Sequence, residues 1–174
     1  MNTSKITQPY SSAFEIAVSF VLAAEGGYVN DPEDTGGETS FGISKRAYPD
    51  LNIRALTLKH ATAIYHEDYW LACGCQKMPA ALACVVFDTA VNMGQVTAIQ
   101  QLQKTLSVVV DGIVGPQTLT ACYKTSPDNL IPDLLSRRAQ RYHHIAQDSG
   151  QRFIRGWLKR TYELQQHLYE ERLL

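Results

Sequence analysis

No stretch of this 174-residue chain stays apolar for the ~20 residues that a membrane-spanning helix requires. A basic excess is also missing. Sixteen Lys and Arg face 17 Asp and Glu, for a net charge of −1, which argues against a dedicated nucleic-acid binder. The opening residues, M-N-T-S-K-I-T-Q-P-Y, lack the continuous apolar core of a secretory signal, and the apolar run that begins at Ala13 already contains Glu15. No internal repeat or low-complexity segment is present. Cysteine is sparse, with Cys73, Cys75, Cys84 and Cys122. Cys73-Gly74-Cys75 is too tightly spaced for a zinc-ribbon C-x-x-C, and no paired histidines stand at ligand spacing. The expectation is therefore no metal and no cofactor, with the thiols either buried and free or bridged in an oxidising compartment.

What the chain does contain is a core. Its hydrophobic fraction of 45% and charged fraction of 19% are those of an ordinary globular domain of this length. The stretch that organises it runs from Glu25 to Ile43: E-G-G-Y-V-N-D-P-E-D-T-G-G-E-T-S-F-G-I. Ahead of it, Phe14, Ala17, Val18, Val21 and Ala24 form one helical stripe, and Glu25 continues that stripe. Gly26-Gly27 then end the helix. Desolvation and the negative pole of the helix would both raise the pKa of such a carboxyl, as a general acid requires. Asn30-Asp31-Pro32 and Thr35-Gly36-Gly37 are turn signals, and Glu38–Phe41 is a short strand candidate. A hairpin built this way carries Asp34, Thr39 and Ser40 back over the helix end. Two readings follow: a catalytic cleft with Glu25 on one lip and Asp34 with a hydroxyl on the other, or a helix cap followed by a solvated turn.

The pattern E-G-G-Y-V-N-D-P-x-D-x-G-G-x-T-x-x-G-I resembles the signature of the N-acetylmuramidases of glycoside hydrolase family 108. These lysozyme-like enzymes of bacteria and phages are related to endolysins and to muramidases that assist protein or toxin secretion. Further blocks follow in order. Tyr65-x-x-x-Tyr69-Trp70 and Val86-Phe87-Asp88-Thr89-Ala90-Val91-Asn92-Met93-Gly94 resemble the family's second block. Asp111–Thr118 and Phe153–Leu158 resemble its C-terminal, peptidoglycan-binding-type region. The resemblance implies a mainly α, lysozyme-like fold with a small β-hairpin lobe. It implies Glu25 as catalytic acid and Asp34 as the hairpin aspartate. Thr39 fits the family pattern for the hydroxyl, while Ser40 matches the spacing of phage-type lysozymes. Tyr28, Thr39, Ser40, Tyr69, Trp70 and Asn92 are the expected substrate contacts.

Helical spacing supplies the rest. Thr57 caps a helix over 58–71 with Leu58, Ala61, Ile64, Tyr65 and Tyr69 on its apolar stripe. Tyr65, Tyr69 and Trp70 serve either as the floor of a sugar cleft or as core packing. Pro79 suits the first turn of the next helix, with Leu82, Val85, Val86, Thr89 and Met93 inside and Gly94 at its end. Asp88 and Asn92, four apart, share a face that lines the cleft or else ties helices together. A helix over 95–106 buries Val96, Ile99, Leu102 and Leu106. Val108–Val110 is β-branched, Pro116 and Ser126-Pro127 open two more helices, and a last helix runs over 151–171. Residues 134–160 hold seven basic residues against Asp148 alone. This suits either attraction to an anionic wall polymer or a solvated face balanced elsewhere.

The expected organisation is a lysozyme-like catalytic region over residues 1–94 and a helical peptidoglycan-binding-type region over 95–174, packed as one unit. The expected reaction is hydrolysis of the β-1,4 bond between N-acetylmuramic acid and N-acetylglucosamine. The alternatives are a catalytically silent peptidoglycan-binding module or a lytic transglycosylase. The expected partner is the peptidoglycan glycan strand, with no nucleic acid, no integral membrane segment and a monomeric state. The chain is expected to be made in the cytoplasm without a classical signal and to act on cell wall in the periplasm.

Overall fold

Every residue from Ala81 to Ala90 is buried, so the helix that carries them is enclosed on all sides and the other elements wrap it. The computed structural model describes residues 10–25, 37–147 and 151–174. Within them the order is α1 (Ser12–Glu25), a hairpin of β1 (Thr39–Ser40) and β2 (Ile43–Ser44), and a 3₁₀ turn at Ile53–Ala55. Next come α2 (Leu58–Ile64), a π-helical segment at Tyr65–Leu71 and a second 3₁₀ turn at Cys75–Lys77. The enclosed α3 (Ala80–Met93) leads to α4 (Gln95–Thr105), α5 (Pro116–Lys124), α6 (Pro127–Ile145) and α7 (Ile154–Glu170). The fold is mainly α with one small antiparallel sheet, as the sequence predicts.

Several boundaries follow directly from local chemistry. Ser11 and Thr57 accept the early amides of α1 and α2 at 3.3 Å each. Pro116 and Pro127 open α5 and α6, where a missing N–H costs nothing. One cluster of buried side chains draws on α1, α3, α4, α6 and α7 alike, from Phe14 to Leu168. Residues before and after Gly94 therefore share a single core.

Three expectations fail, each for a physical reason. The stripe of α1 is buried only as far as Val21; Ala24 is exposed, so the helix leaves the core in its last turn. The helix after Thr57 changes pitch. A π-helical segment bonds each amide to the carbonyl five residues back rather than four, so the side chains along it turn out of α-helical register. Tyr65 and Trp70 are accordingly the buried pair, Tyr69 is only half-buried and Leu58 is exposed. Val96, expected on the buried stripe of the helix over 95–106, is exposed at the start of α4, and so are Val109 and Val110 of the β-branched stretch.

The four thiols are buried and free. Burial pushes Cys73 and Cys122 up to about 11 and Cys84 up to about 12, which keeps them protonated and unreactive. Gly74, between the first two, has φ +67°, and a Cβ there would meet Val114 Cγ1 at 3.2 Å. Glycine is therefore needed both for the backbone twist and for the close approach of the 107–115 loop.

Charge also enters the core. Asp88 on α3 is 1% exposed and holds two guanidinium groups. Arg138 of α6, fully buried, donates to Oδ2 at 2.5 Å, and Arg160 of α7 donates to Oδ1 at 2.8 and 3.1 Å. Arg138 also donates to the Tyr142 hydroxyl, and Arg160 lies over the Phe20 ring of α1 at 5.8 Å. Three helices thus meet at one carboxylate, and α1 packs Phe20 against one of the arginines.

Candidate active site

Glu25 is the last residue of α1. The negative pole of the helix falls there. Tyr28 and Asp34 lie outside the described residues. The stripe expected to lead into Glu25 is exposed at Ala24, as is Ala23, and the Glu25 side chain lies outside the described residues. Beside these two alanines a groove of about 360 Å³ opens, lined by Phe20 from α1 and by Glu163, His167 and Glu170 from α7.

The hairpin is held by a two-residue turn. Phe41 and Gly42 both have positive φ, +52° and +77°, the geometry that matches the twist of paired strands. Glycine adopts this freely; phenylalanine does so against its Cβ. The cost at Phe41 is met by a fixed contact, because the Tyr65 hydroxyl donates to the Phe41 carbonyl at 2.8 Å. Thr39 pairs with Ser44 and Ser40 with Ile43. Adjacent strand residues point to opposite faces. Ser40 turns inward and is 4% exposed, whereas Thr39 stays partly open to solvent.

Tyr65 sits at the start of the π-helical segment, so that segment fixes the hairpin's tip. Its ring also contacts Tyr69 at 5.7 Å between centroids, and Tyr69 is partly accessible beside the hairpin. Trp70 does not reach a cleft. It is 1% exposed and packs edge-on against Phe14 at 5.4 Å and Phe87 at 5.7 Å. The π pitch turns it into the core, so its expected role as a sugar contact is corrected to one of packing.

The corner between α3 and α4 joins the same area. Gln95 donates to the Asp68 carbonyl in the π-helical segment at 2.5 Å. Asn92, three residues earlier, is exposed and its amide donates to the Asp88 carbonyl at 2.8 Å. Asp88 itself is not available to a cleft, because both its oxygens are used by arginines. Of the two readings for that helical face, Asp88 follows the helix-tying one and Asn92 remains open to solvent.

Sequence reasoning missed one polar pair here. The Tyr48 hydroxyl donates to Asp68 Oδ2 at 2.8 Å, next to Tyr69. Burial, then the Asp68 hydrogen bond, pushes the Tyr48 phenol well above its ordinary value, so it stays a donor. No spacing signal links positions 48 and 68; only the tertiary fold does. The helix-tying role of Asp88 and Arg138 had a signal that could have been used. Arg138 lies on the stripe Ile131, Leu134, Leu135, Tyr142, and a charge on a buried stripe demands a partner.

The arrangement brings the hairpin, the π-helical segment and the α3–α4 corner together, with Thr39, Tyr69 and Asn92 accessible and Ser40 and Trp70 withdrawn. Among the described residues no group of His, Cys, Asp and Glu is placed to hold a metal ion, and no helix is long and apolar enough to cross a membrane.

Comparison with known proteins bears on this geometry. Residues 18–94 match the family model described as glycosyl hydrolase 108, a stretch that takes in the second half of α1, the hairpin and α3. Residues 97–162 match a predicted peptidoglycan domain. No curated protein matches. Among solved structures, SagA of Brucella abortus is similar over 90% of this chain and 94% of its own, with 32% sequence identity and a TM-score of 0.80. The chain belongs to the glycosyl hydrolase 108 family and joins its hydrolase region to a peptidoglycan domain.

Proposed function

We propose that this protein is an N-acetylmuramidase that cleaves the β-1,4 bond between N-acetylmuramic acid and N-acetylglucosamine, with Glu25 as general acid. One observation carries this reading. Glu25 closes α1 immediately before the hairpin region, inside the stretch that matches glycosyl hydrolase 108. Glu25 protonates the leaving glycosidic oxygen while the sugar passes through an oxocarbenium-like state. Asp34 orients the attacking water or stabilises the developing charge. Thr39 is the better candidate than Ser40 for the assisting hydroxyl, since only Thr39 is open to solvent. Tyr28, Tyr69 and Asn92 contact the glycan. The enzyme acts on cell wall in the periplasm, in lysis or in secretion, after synthesis in the cytoplasm.

Digestion of purified sacculi followed by mass spectrometry tests this. Wild type should release muropeptides with reducing ends. Glu25→Gln should lower release by about 10²–10⁴-fold, the usual loss when a general acid is removed. Anhydro ends would reassign the chemistry to a lytic transglycosylase, and no products to a binding module. A Glu25→Gln protein that digests sacculi at the wild-type rate would remove Glu25 from the mechanism.

A further inference from the structure

A groove of about 560 Å³ runs between α6 and α7, on a face remote in sequence from the hairpin, and continues into a second hollow of about 270 Å³. Pro132, Tyr162 and Gln165 line both parts; Asp128, Gln166, Tyr169 and Leu174 complete the wider one. Tyr162 and Tyr169 are 69% and 73% exposed, unusual for rings that border an apolar hollow. Seven residues apart on α7, they stand on one face, two turns or ~10.5 Å along the axis. That distance is about the length of one disaccharide repeat of a β-1,4 glycan.

We propose that this groove is a second saccharide-binding site, separate from the hydrolytic one, and that it takes N-acetylated sugar residues of the glycan strand. Three observations point to that occupant. Two exposed rings at disaccharide spacing offer flat faces on which the C–H faces of successive sugars stack, with hydroxyls left to bond at the edges. Gln165 lies between the rings and supplies both a donor and an acceptor for hydroxyl or acetamido groups. Pro132 has no N–H, so the Asp128 carbonyl lacks its helical donor at the groove wall and can accept from a sugar. Charge selects the class of ligand. Asp128 is the one charged side chain among the described lining residues, so an anionic peptide stem is repelled while a neutral sugar is not. The site would hold the enzyme on its polymer between cleavage events.

The proposal rests on peptidoglycan being the substrate and not on Glu25 being the acid, and its test uses the full chain. With Glu25→Gln as background the polymer stays intact, and co-sedimentation with purified sacculi gives the affinity. Adding Tyr162→Ala and Tyr169→Ala should weaken binding about tenfold or more, while Tyr162→Phe with Tyr169→Phe should retain it. Titration with chitotetraose should move the amide resonances of Gln165, Gln166 and Tyr169, and the alanine pair should abolish those shifts with the melting temperature unchanged. Shifts confined to residues 39–44 and 65–71, or sacculus binding unaltered by the alanine pair, would overturn the proposal. Concentration-dependent dimerisation lost in the alanine pair would also overturn it, giving the groove to a second copy. None of these results bears on the cleavage assay of Glu25→Gln, so the two readings fail separately.

Discussion

The two ends of the hydrolase region are built on opposite terms. Around Asp88, three helices converge on one buried carboxylate, and both arginine partners reach it through charge-assisted hydrogen bonds. At the hairpin, two residues pair with two, and the tip is tied to the rest of the protein by the Tyr65 hydroxyl on the Phe41 carbonyl. The first arrangement resists any local change, since moving one helix strips charge from its partner. The second can yield without unfolding anything else. On the proposed mechanism both are needed: a scaffold that fixes the helix bearing the candidate acid, and a lip that admits a polymer. On that proposal the ionic junction serves stability and the hairpin turnover, and substitutions should separate the two.

The largest effect is expected at the junction. Asp88→Ala leaves Arg138 buried without the carboxylate that pairs it and removes two hydrogen bonds from Arg160. Breaking one partner of such a buried pair costs about 3–5 kcal/mol. Thermal or denaturant unfolding should show that loss, while the surviving folded fraction retains its turnover. A smaller effect is expected at Trp157. It stacks on Tyr142 at 5.1 Å and on Phe153 at 5.8 Å but is only half-buried. Trp157→Ala should cost about 2–3 kcal/mol, below the ~3–5 of a fully enclosed aromatic. A normal melting temperature with lost wall binding would instead make Trp157 a recognition residue.

Tyr65→Phe reverses the pattern. It deletes the hydrogen bond to the Phe41 carbonyl, should cost only about 1 kcal/mol, and loosens the positive-φ turn at Phe41. Muropeptide release should fall further than stability does. If Tyr65→Phe lowers melting and leaves turnover intact, the contrast between a rigid junction and a yielding lip is wrong.

Much of this was legible in the chain, and the exceptions are instructive. The helix up to Glu25, the caps at Thr57, Pro116 and Pro127, and the stop at Gly94 rest on interactions within a few residues, which sequence displays. The inward turn of Trp70 did not show, because an α-helical period assigns that place to Tyr69 and only the π segment moves it. The basic run over 134–160 was read as either a wall-binding surface or a balanced face. Arg138 and Arg160 within it answer to Asp88, 50 and 72 residues away, so their meaning is set by packing alone. In the site itself, Thr39, Tyr69 and Asn92 have surfaces to offer, while Ser40 is withdrawn by strand alternation.

The smallest effect is expected in the 107–115 loop, a third style of anchoring that uses a neutral amide. Gln103 of α4 is fully buried and donates to Asp111 Oδ1 at 2.7 Å, to the Ile113 carbonyl at 2.9 Å and to the Thr118 hydroxyl at 3.3 Å. Its own oxygen accepts from the Gly112 amide at 2.9 Å. The Ile113 N–H and the Gln103 amide hold the Asp111 carboxyl below its ordinary value. A depressed aspartate contributes stability above its unfolded pKa of about 3.9 and loses it as pH falls through the folded value. Asp111 is exposed, so solvent screens the effect and global melting should hardly change. Amide exchange at Gly112 and Ile113 should nevertheless accelerate as pH drops below about 4, after correction for intrinsic rates, over the range where the aspartate protonates. Asp111→Asn should remove that pH dependence. An exchange profile that keeps its acid limb in Asp111→Asn would show that another group governs the loop, and that Gln103 alone holds it.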